Sequence, residues 1–383
     1  MTEKLYYRDS HLFRFTSEVL RCEEADGKYL VVLKETAFFP EGGGQPADTG
    51  LLGGVRVLDA HEKNGEVLHY CDAPLAVGAA VTGEIDAEQR LRRMQNHSGE
   101  HIFSGTAHSL FGCSNVGFHI GADDMTLDFD YVFTAEDVER IETLANEAVR
   151  RNLPVRVFFP SPEELAALDY RSKKELSGEV RIVEIPGVDR CACCAPHVSY
   201  TGEIGIIKVL NFEKHRGGTR LSLLCGMQAL EDYRRKLRSA SEISALLSVR
   251  RDAVSEAVQR LLEERDALKE KRAALSLELM RLKAEAVPAG QRNVCLFVDV
   301  SDEIAARELC NLVMEKCSCL AAVFFPASEG GYRYIIGSRT RDLRKESKAI
   351  NTGIQGRGGG RPEMIQGSAG AAEAEIRAFI NSI

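Results

Sequence analysis

The sequence predicts an α+β protein in four successive parts. These are a β-rich, barrel-like N-terminal domain (1–90), an α+β domain (91–228), a coiled-coil helical segment (229–287) and a small C-terminal α/β domain (290–383). Three observations carry this expectation. Short runs rich in β-branched residues, bounded by glycine and acidic turns, fill the first part. A long stretch free of Gly and Pro, with an apolar residue every seven positions, fills the third. Strand and helix signals are mixed in the second and fourth. The length of 383 residues fits two to three domains at about 150 residues each.

In chain order, Tyr29–Leu33 and Gly54–Leu58 read as strands. Helical spacing begins at Ala87 and runs to Phe111, with Leu91, Met94, Ser98, Ile102 and Ala107 three to five residues apart. A second helix is expected from about Thr134 to Asn152. There Thr134 is the N-cap, and Glu136 and Asp137 favour the positive helix start. Residues 155–159, 180–185 and 204–210 read as strands. Between Ala229 and Ala286, Leu247, Val254, Leu261, Leu268, Leu275 and Leu282 form a strict seven-residue seam. The second seam position holds Ile243, Val258 and Leu279 but also Arg265 and Arg272. A helical hairpin or a short dimer contact is therefore expected as much as a continuous zipper. Pro288 and Gly290 end the segment; a strand at 294–298, a helix at 305–316, a strand at 320–325 and a glycine-rich stretch follow.

Composition narrows the functional class. Hydrophobic residues make up 44% and charged residues 28%, as in an ordinary globular protein. A net charge of −8 argues against broad, non-specific nucleic-acid binding but leaves room for a local basic patch. No apolar run approaches a transmembrane span, and the N-terminus lacks the apolar core of a signal peptide. A cytoplasmic location is expected, where eleven cysteines read as thiols or metal ligands.

His97-Ser98-Gly99-Glu100-His101 falls inside the first predicted helix. Two histidines at i and i+4 share one helix face and can reach one ion. Nearly one hundred residues on, Cys191-Ala192-Cys193-Cys194-Ala195-Pro196-His197 gathers three thiols and an imidazole. Thiolate with imidazole selects zinc over harder cations. The expected ligands are His97, His101, Cys193 and His197, with Cys191 and Cys194 as rivals for the thiolate position. His-x-x-Glu-His is also a metallopeptidase order, with Glu100 as base, but the Cys–His cluster is not the acidic third ligand such enzymes use.

His97-x3-His101, Cys193-x3-His197 and Thr201-Gly202-Glu203-Ile204-Gly205 together resemble the editing domain of alanyl-tRNA synthetase. They are still more similar to the free-standing alanyl-tRNA editing proteins of the AlaX type. Upstream, Phe38–Gly50 looks like that family's glycine-rich motif, including Gly42-Gly43-Gly44-Gln45. Downstream, Gly356–Gly367 is similar to the domain that follows editing in the synthetase. The glycine-rich motif begins too early to leave room for an aminoacylation domain before it. The resemblance thus implies a zinc-dependent editing domain at 91–228 and hydrolysis of wrongly attached serine or glycine from tRNA(Ala), without ATP. One departure stands out: the family writes Cys-Gly-Gly-Thr-His where this chain has Cys193-Cys194-Ala195-Pro196-His197.

Ester hydrolysis needs a placed water and stabilisation of the tetrahedral oxyanion. Zinc is expected to position the aminoacyl group, Glu100 to serve as base, and Gln45 to lie nearest the substrate. Gly42, Gly43 and Gly44 are expected to let backbone approach it, since glycine has no Cβ. A small pocket separates alanine from near-isosteres poorly, which is why a hydrolytic second sieve exists. For the RNA, residues 331–361 carry eight cations against two acids, among them Arg339, Arg341, Arg344, Lys345, Arg357 and Arg361. Arg90, Arg92 and Arg93 are expected near the acceptor end. Cys310, Cys317 and Cys319 read as core thiols. The rival function is a tRNA-binding or dimerisation module with a purely structural zinc; a homodimer is expected through the helical segment or the C-terminal domain.

Overall fold

Arg14–Ala25 alternates exposed and buried residues over its first seven positions, the period of a strand with one face inward. It pairs with Lys28–Leu33, and the hydrogen-bonded order continues through Glu66–Cys71, Val55–Lys63, Gly50–Leu52 and Ala80–Ile85 back to Arg14–Ala25, closing a six-stranded barrel. Phe15, Val19, Val31, Leu33, Phe38, Leu52 and Val57 fill it. The structure is a computed structural model and describes residues 1–383 apart from 26, 122, 173–178, 301 and 328–329. Among the described residues it is a mixed α/β protein with several sheets and eight α-helices, in two compact units, Met1–Ser239 and Ala240–Ile383.

In the first unit the barrel leads into the Ala87–Phe111 helix, the span that the apolar spacing predicts. Asp86 caps its start by accepting from the Gln89 N–H, and Gly112 ends it with φ 64°. Its buried face packs into one core with the Ala135–Arg150 helix and a four-stranded antiparallel sheet. That sheet runs in the order Ile207–His215, Gly218–Cys225, Met125–Phe129, Asn115–Ile120. Thr134 caps the second helix reciprocally with Asp137, as its sequence signals. A three-stranded sheet of Arg156–Phe158, Ile182–Ile185 and Asp189–Ala192 completes the unit.

The stretch without Gly or Pro is not one helix. Gly226–Leu247 ends where Ser248 takes φ 52° and Val249 N–H bonds to the Ser244 carbonyl, a left-handed cap made without glycine. A 3-10 turn at Arg251–Ala253 precedes the next helix, Val254–Glu285. In the second unit the end of that helix and Glu303–Met314 cover one face of a five-stranded sheet. Leu343–Gly353 and Glu373–Ser382 cover the other. Along Leu320–Phe325 successive residues alternate between these two cores, so every one of them is buried. The glycine-rich stretch forms two paired strands, Gly356–Arg361 at the sheet edge and Met364–Ala369 inside it. No helix among the described residues is long and apolar enough to cross a membrane.

Candidate metal centre

His97 and His101 stand one turn apart on the Ala87–Phe111 helix, each 2% exposed, with ring centres 5.5 Å apart. The loop after Asp189–Ala192 brings Cys193 and His197 to them. The donor atoms of His97, His101, Cys193 and His197 all lie within 4.8 Å of one another. Cys193 Sγ is 3.4 Å from His97 Nε2 and 3.3 Å from His197 Nε2. Cys191 belongs to a second buried group, with Asp189, that shares only His101 with the first. Cys194 is exposed, its Sγ 3.7–3.8 Å from where Cβ atoms at Gly42 and Gly43 would sit. Geometry thus favours Cys193 over both rivals. Burial pushes the Cys193 thiol well above its ordinary range, so its thiolate requires a nearby cation.

Each histidine is held by its other ring nitrogen. His97 Nδ1–H donates to Gln45 Oε1 at 2.9 Å, His101 Nδ1–H to Asp189 Oδ2 at 2.9 Å, and His197 Nδ1–H to Ser98 Oγ at 3.0 Å. Such outer bonds fix ring orientation and tautomer at metal sites, leaving Nε2 as the donor. Three imidazoles and a thiol, oriented this way and buried together, fit a zinc ion.

Asp189 is gripped from its far side by Arg171, with Nε to Oδ1 at 2.7 Å and Nη2 to Oδ2 at 2.9 Å. Burial alone would raise the Asp189 carboxyl; the bond from His101 and the Arg171 guanidinium outweigh it and hold the group below the usual range. Gly105, one turn beyond His101, admits this neighbour: a Cβ there would lie 2.6 Å from Asp189 Cβ.

Gly42–Gln45 is a tight turn, with Gly42 and Gln45 exchanging both backbone bonds at 3.0 Å. Gly43 and Gly44 take φ 60° and 83°, the pair of positive angles that a type I′ turn requires. Gly44 carbonyl accepts from Ile120 N–H at 2.9 Å, which pins the turn to the Asn115–Ile120 strand. On that strand Phe118 sets its ring 4.8 Å from His97. Gln45 is fully buried; its Oε1 is engaged with His97, while its Nε2 has no protein partner.

Glu100 does not face solvent. It is 1% exposed, and its Oε1 accepts from Ser104 Oγ at 2.8 Å and Asn115 Nδ2 at 2.6 Å. Its Oε2 stands 3.8 Å from His101 Nε2. Arg90 is not available to RNA either. It is 0% exposed, ion-paired with the equally buried Asp48 and bonded to the Ala37 and Ser10 carbonyls. Arg92 is paired with Glu88 and Glu231, and Arg93 bonds to the Ala47 carbonyl. The reason is packing: Arg90 and Arg93 clamp the helix start to the Ala47–Asp48 segment, and Arg92 is held by carboxylates of two helices.

In the C-terminal unit, much of the basic segment is neutralised at short range. Arg333 pairs with Glu303, Arg339 with Glu315 and Arg341 with Glu346, while Arg344 and Lys345 stand near Asp342. Arg357 and Arg361 are exposed on the edge strand, and no described carboxylate pairs with them. Cys310 is buried in the core; Cys317 and Cys319 are half-buried, and no described metal-ligand group includes them.

Residues 180–221, which hold Cys193 and His197, match the threonyl and alanyl tRNA synthetase second additional domain. Residues 2–89, the barrel and its glycine turn, match the class II (A) tRNA synthetases. Alanyl-tRNA editing protein Aarsd1-B of Xenopus laevis is 32% identical over 295 residues, 73% of this chain and 72% of that protein. The chain belongs to the alanyl-tRNA editing protein family. Aarsd1 of Danio rerio is 27% identical over 97% of this chain and 96% of its own length. The alanine–tRNA ligase of Thermofilum pendens is 33% identical over 96% of this chain, which spans only 42% of that ligase. Sequence spacing alone did not single out Asp189, Arg171, Ser98 or Asn115 of this family member. The one available signal was position, Ser98 beside His97 and Asp189 two residues before Cys191.

Proposed function

We propose that the chain is a zinc-dependent deacylase that removes serine, and also glycine, from tRNA(Ala) in trans, in the cytoplasm. The observation that carries this reading is the convergence of His97, His101, Cys193 and His197 in a member of the alanyl-tRNA editing protein family. These four residues hold the metal, which when bound supplies Lewis acidity and an anchor for the aminoacyl group. The buried, unpartnered Nε2 of Gln45 is oriented by the bond its Oε1 receives from His97, and a substrate carbonyl oxygen would complete it. An unmet buried donor is costly, about 1–3 kcal/mol, and substrate oxygen relieves that cost. Glu100, fixed by Ser104 and Asn115, is the base that orients water. Gly42 and Gly43 leave the approach to Cys194 free of side chains, and Gly44 completes the substrate-binding turn against Phe118.

We assign RNA contact to the C-terminal region, with Arg357 and Arg361 the principal cations and Arg339, Arg341, Arg344 and Lys345 contributing despite their acidic neighbours. The division into 1–90, 91–228, 229–287 and 290–383 follows these roles. Homodimerisation is assigned to the helical segment, where Leu261, Leu268, Leu275 and Leu282 are each half or more exposed.

The deciding experiment compares hydrolysis of Ser-tRNA(Ala) and Ala-tRNA(Ala), with and without a zinc chelator, in wild type and His97→Ala. Serine-selective, chelator-sensitive hydrolysis that His97→Ala abolishes is expected. Binding of Ser-tRNA(Ala) without hydrolysis would make the metal structural. Cleavage of unfolded polypeptide dependent on Glu100 would make the chain a peptidase.

A further inference from the structure

The three metal-site histidines are 2–3% exposed, so the helix side of the centre is closed. Its open side is marked by half-buried Cys193, exposed Cys194 and the Gly42–Gly43 turn. Next to Cys193 lies a small aromatic cluster: Tyr6, Phe39 and Ala195, with Tyr7 packed against them. Tyr7 meets Phe159 edge-on, ring centres 5.8 Å apart at 60°. Phe159, directly after the Arg156–Phe158 strand, is 42% exposed.

Arg181 ties this pair to the ligand loop. Its Nη1 donates to the carbonyls of Cys193 at 2.7 Å and Ala195 at 2.9 Å, and its guanidinium carbon sits 5.0 Å from the Tyr7 ring centre. Lys4 Nζ approaches the same ring at 5.4 Å. Tyr7 is thus held on several sides, while Phe159, joined to the ligand loop through Tyr7 and Arg181, keeps ring surface open to solvent.

We propose that Phe159, backed by Tyr7, is the stacking platform for an unpaired nucleobase at the acceptor end of the RNA substrate. This rests on the deacylase reading for its ligand. An amino acid esterified to a terminal ribose at the four donors carries its own base only one sugar away. Every base presents a π-face that an exposed aromatic ring can cover without reading sequence.

The test measures binding of uncharged tRNA(Ala), intact or lacking its terminal unpaired nucleotides, to wild type, Phe159→Ala and Phe159→Tyr. Phe159→Ala is expected to bind intact tRNA roughly tenfold or more weakly, and the truncated tRNA as wild type does. Phe159→Tyr is expected to stay within about twofold of wild type on both, since it keeps the ring. Equal binding of intact tRNA by wild type and Phe159→Ala overturns the platform, whatever the hydrolysis assay gives. An equal loss on both tRNAs also overturns it. Absence of serine-tRNA hydrolysis in wild type refutes the deacylase reading but leaves this comparison intact.

Discussion

Asp189 receives a hydrogen bond from His101 at 2.9 Å while Arg171 holds both of its oxygens, His101 and Asp189 being buried and Arg171 partly so. The carboxylate sets which nitrogen of His101 faces the other three donor residues. Asp189→Asn keeps the shape but removes the charge. It is expected to weaken zinc binding by about 10- to 100-fold. Competition against a chromophoric chelator measures this directly, and unchanged affinity in a folded variant would reduce Asp189 to a packing role.

Gly44 combines a φ of 83° with a Cβ direction that ends 2.5 Å from the Phe118 carbonyl oxygen. Alanine there must strain the turn and displace the strand under it. Gly44→Ala is expected to lose about 2–4 kcal/mol of unfolding free energy. It should also slow deacylation, because Gln45 follows the turn. Urea unfolding and the hydrolysis rate check the two effects separately.

His69 lies fully buried in the barrel, its Nδ1–H donating to the Val31 carbonyl and its Nε2 accepting from Thr36 Oγ1. Burial pushes its pKa down from 6.5 to about 4. The unfolded chain therefore binds the extra proton first. This contribution to stability is complete above about pH 6.5 and is lost as pH falls toward 4. His69→Gln, which cannot titrate, is expected to flatten the fall in stability between pH 7 and 5 relative to wild type. Parallel denaturant titrations at those two pH values decide it.

Periodicity and local chemistry made the Ala87–Phe111 helix, the capped Ala135–Arg150 helix and two of the barrel strands, Lys28–Leu33 and Val55–Lys63, legible, because each depends on neighbours in sequence. The Asn115–Ile120 and Met125–Phe129 strands went unread between two helical signals, as did the edge strand Gly356–Arg361. Their stability comes from pairing with distant strands; glycine at Gly356, Gly358, Gly359 and Gly360 gives no strand propensity of its own. The break at Ser248 was invisible for a related reason, since serine carries no fixed stop signal.

The sequence by itself determined the donor types of the metal centre, their order along the chain and the family they point to, because two helix positions and a four-residue spacing encode them locally. Only the tertiary structure grouped Cys193, rather than Cys191 or Cys194, with all three histidines, buried Glu100 and Arg90, and turned Gln45, Ser98 and Asp189 into supports for those histidines. Those outcomes depend on which side chains meet across dozens of intervening residues, a distance relation that packing creates and local spacing does not contain.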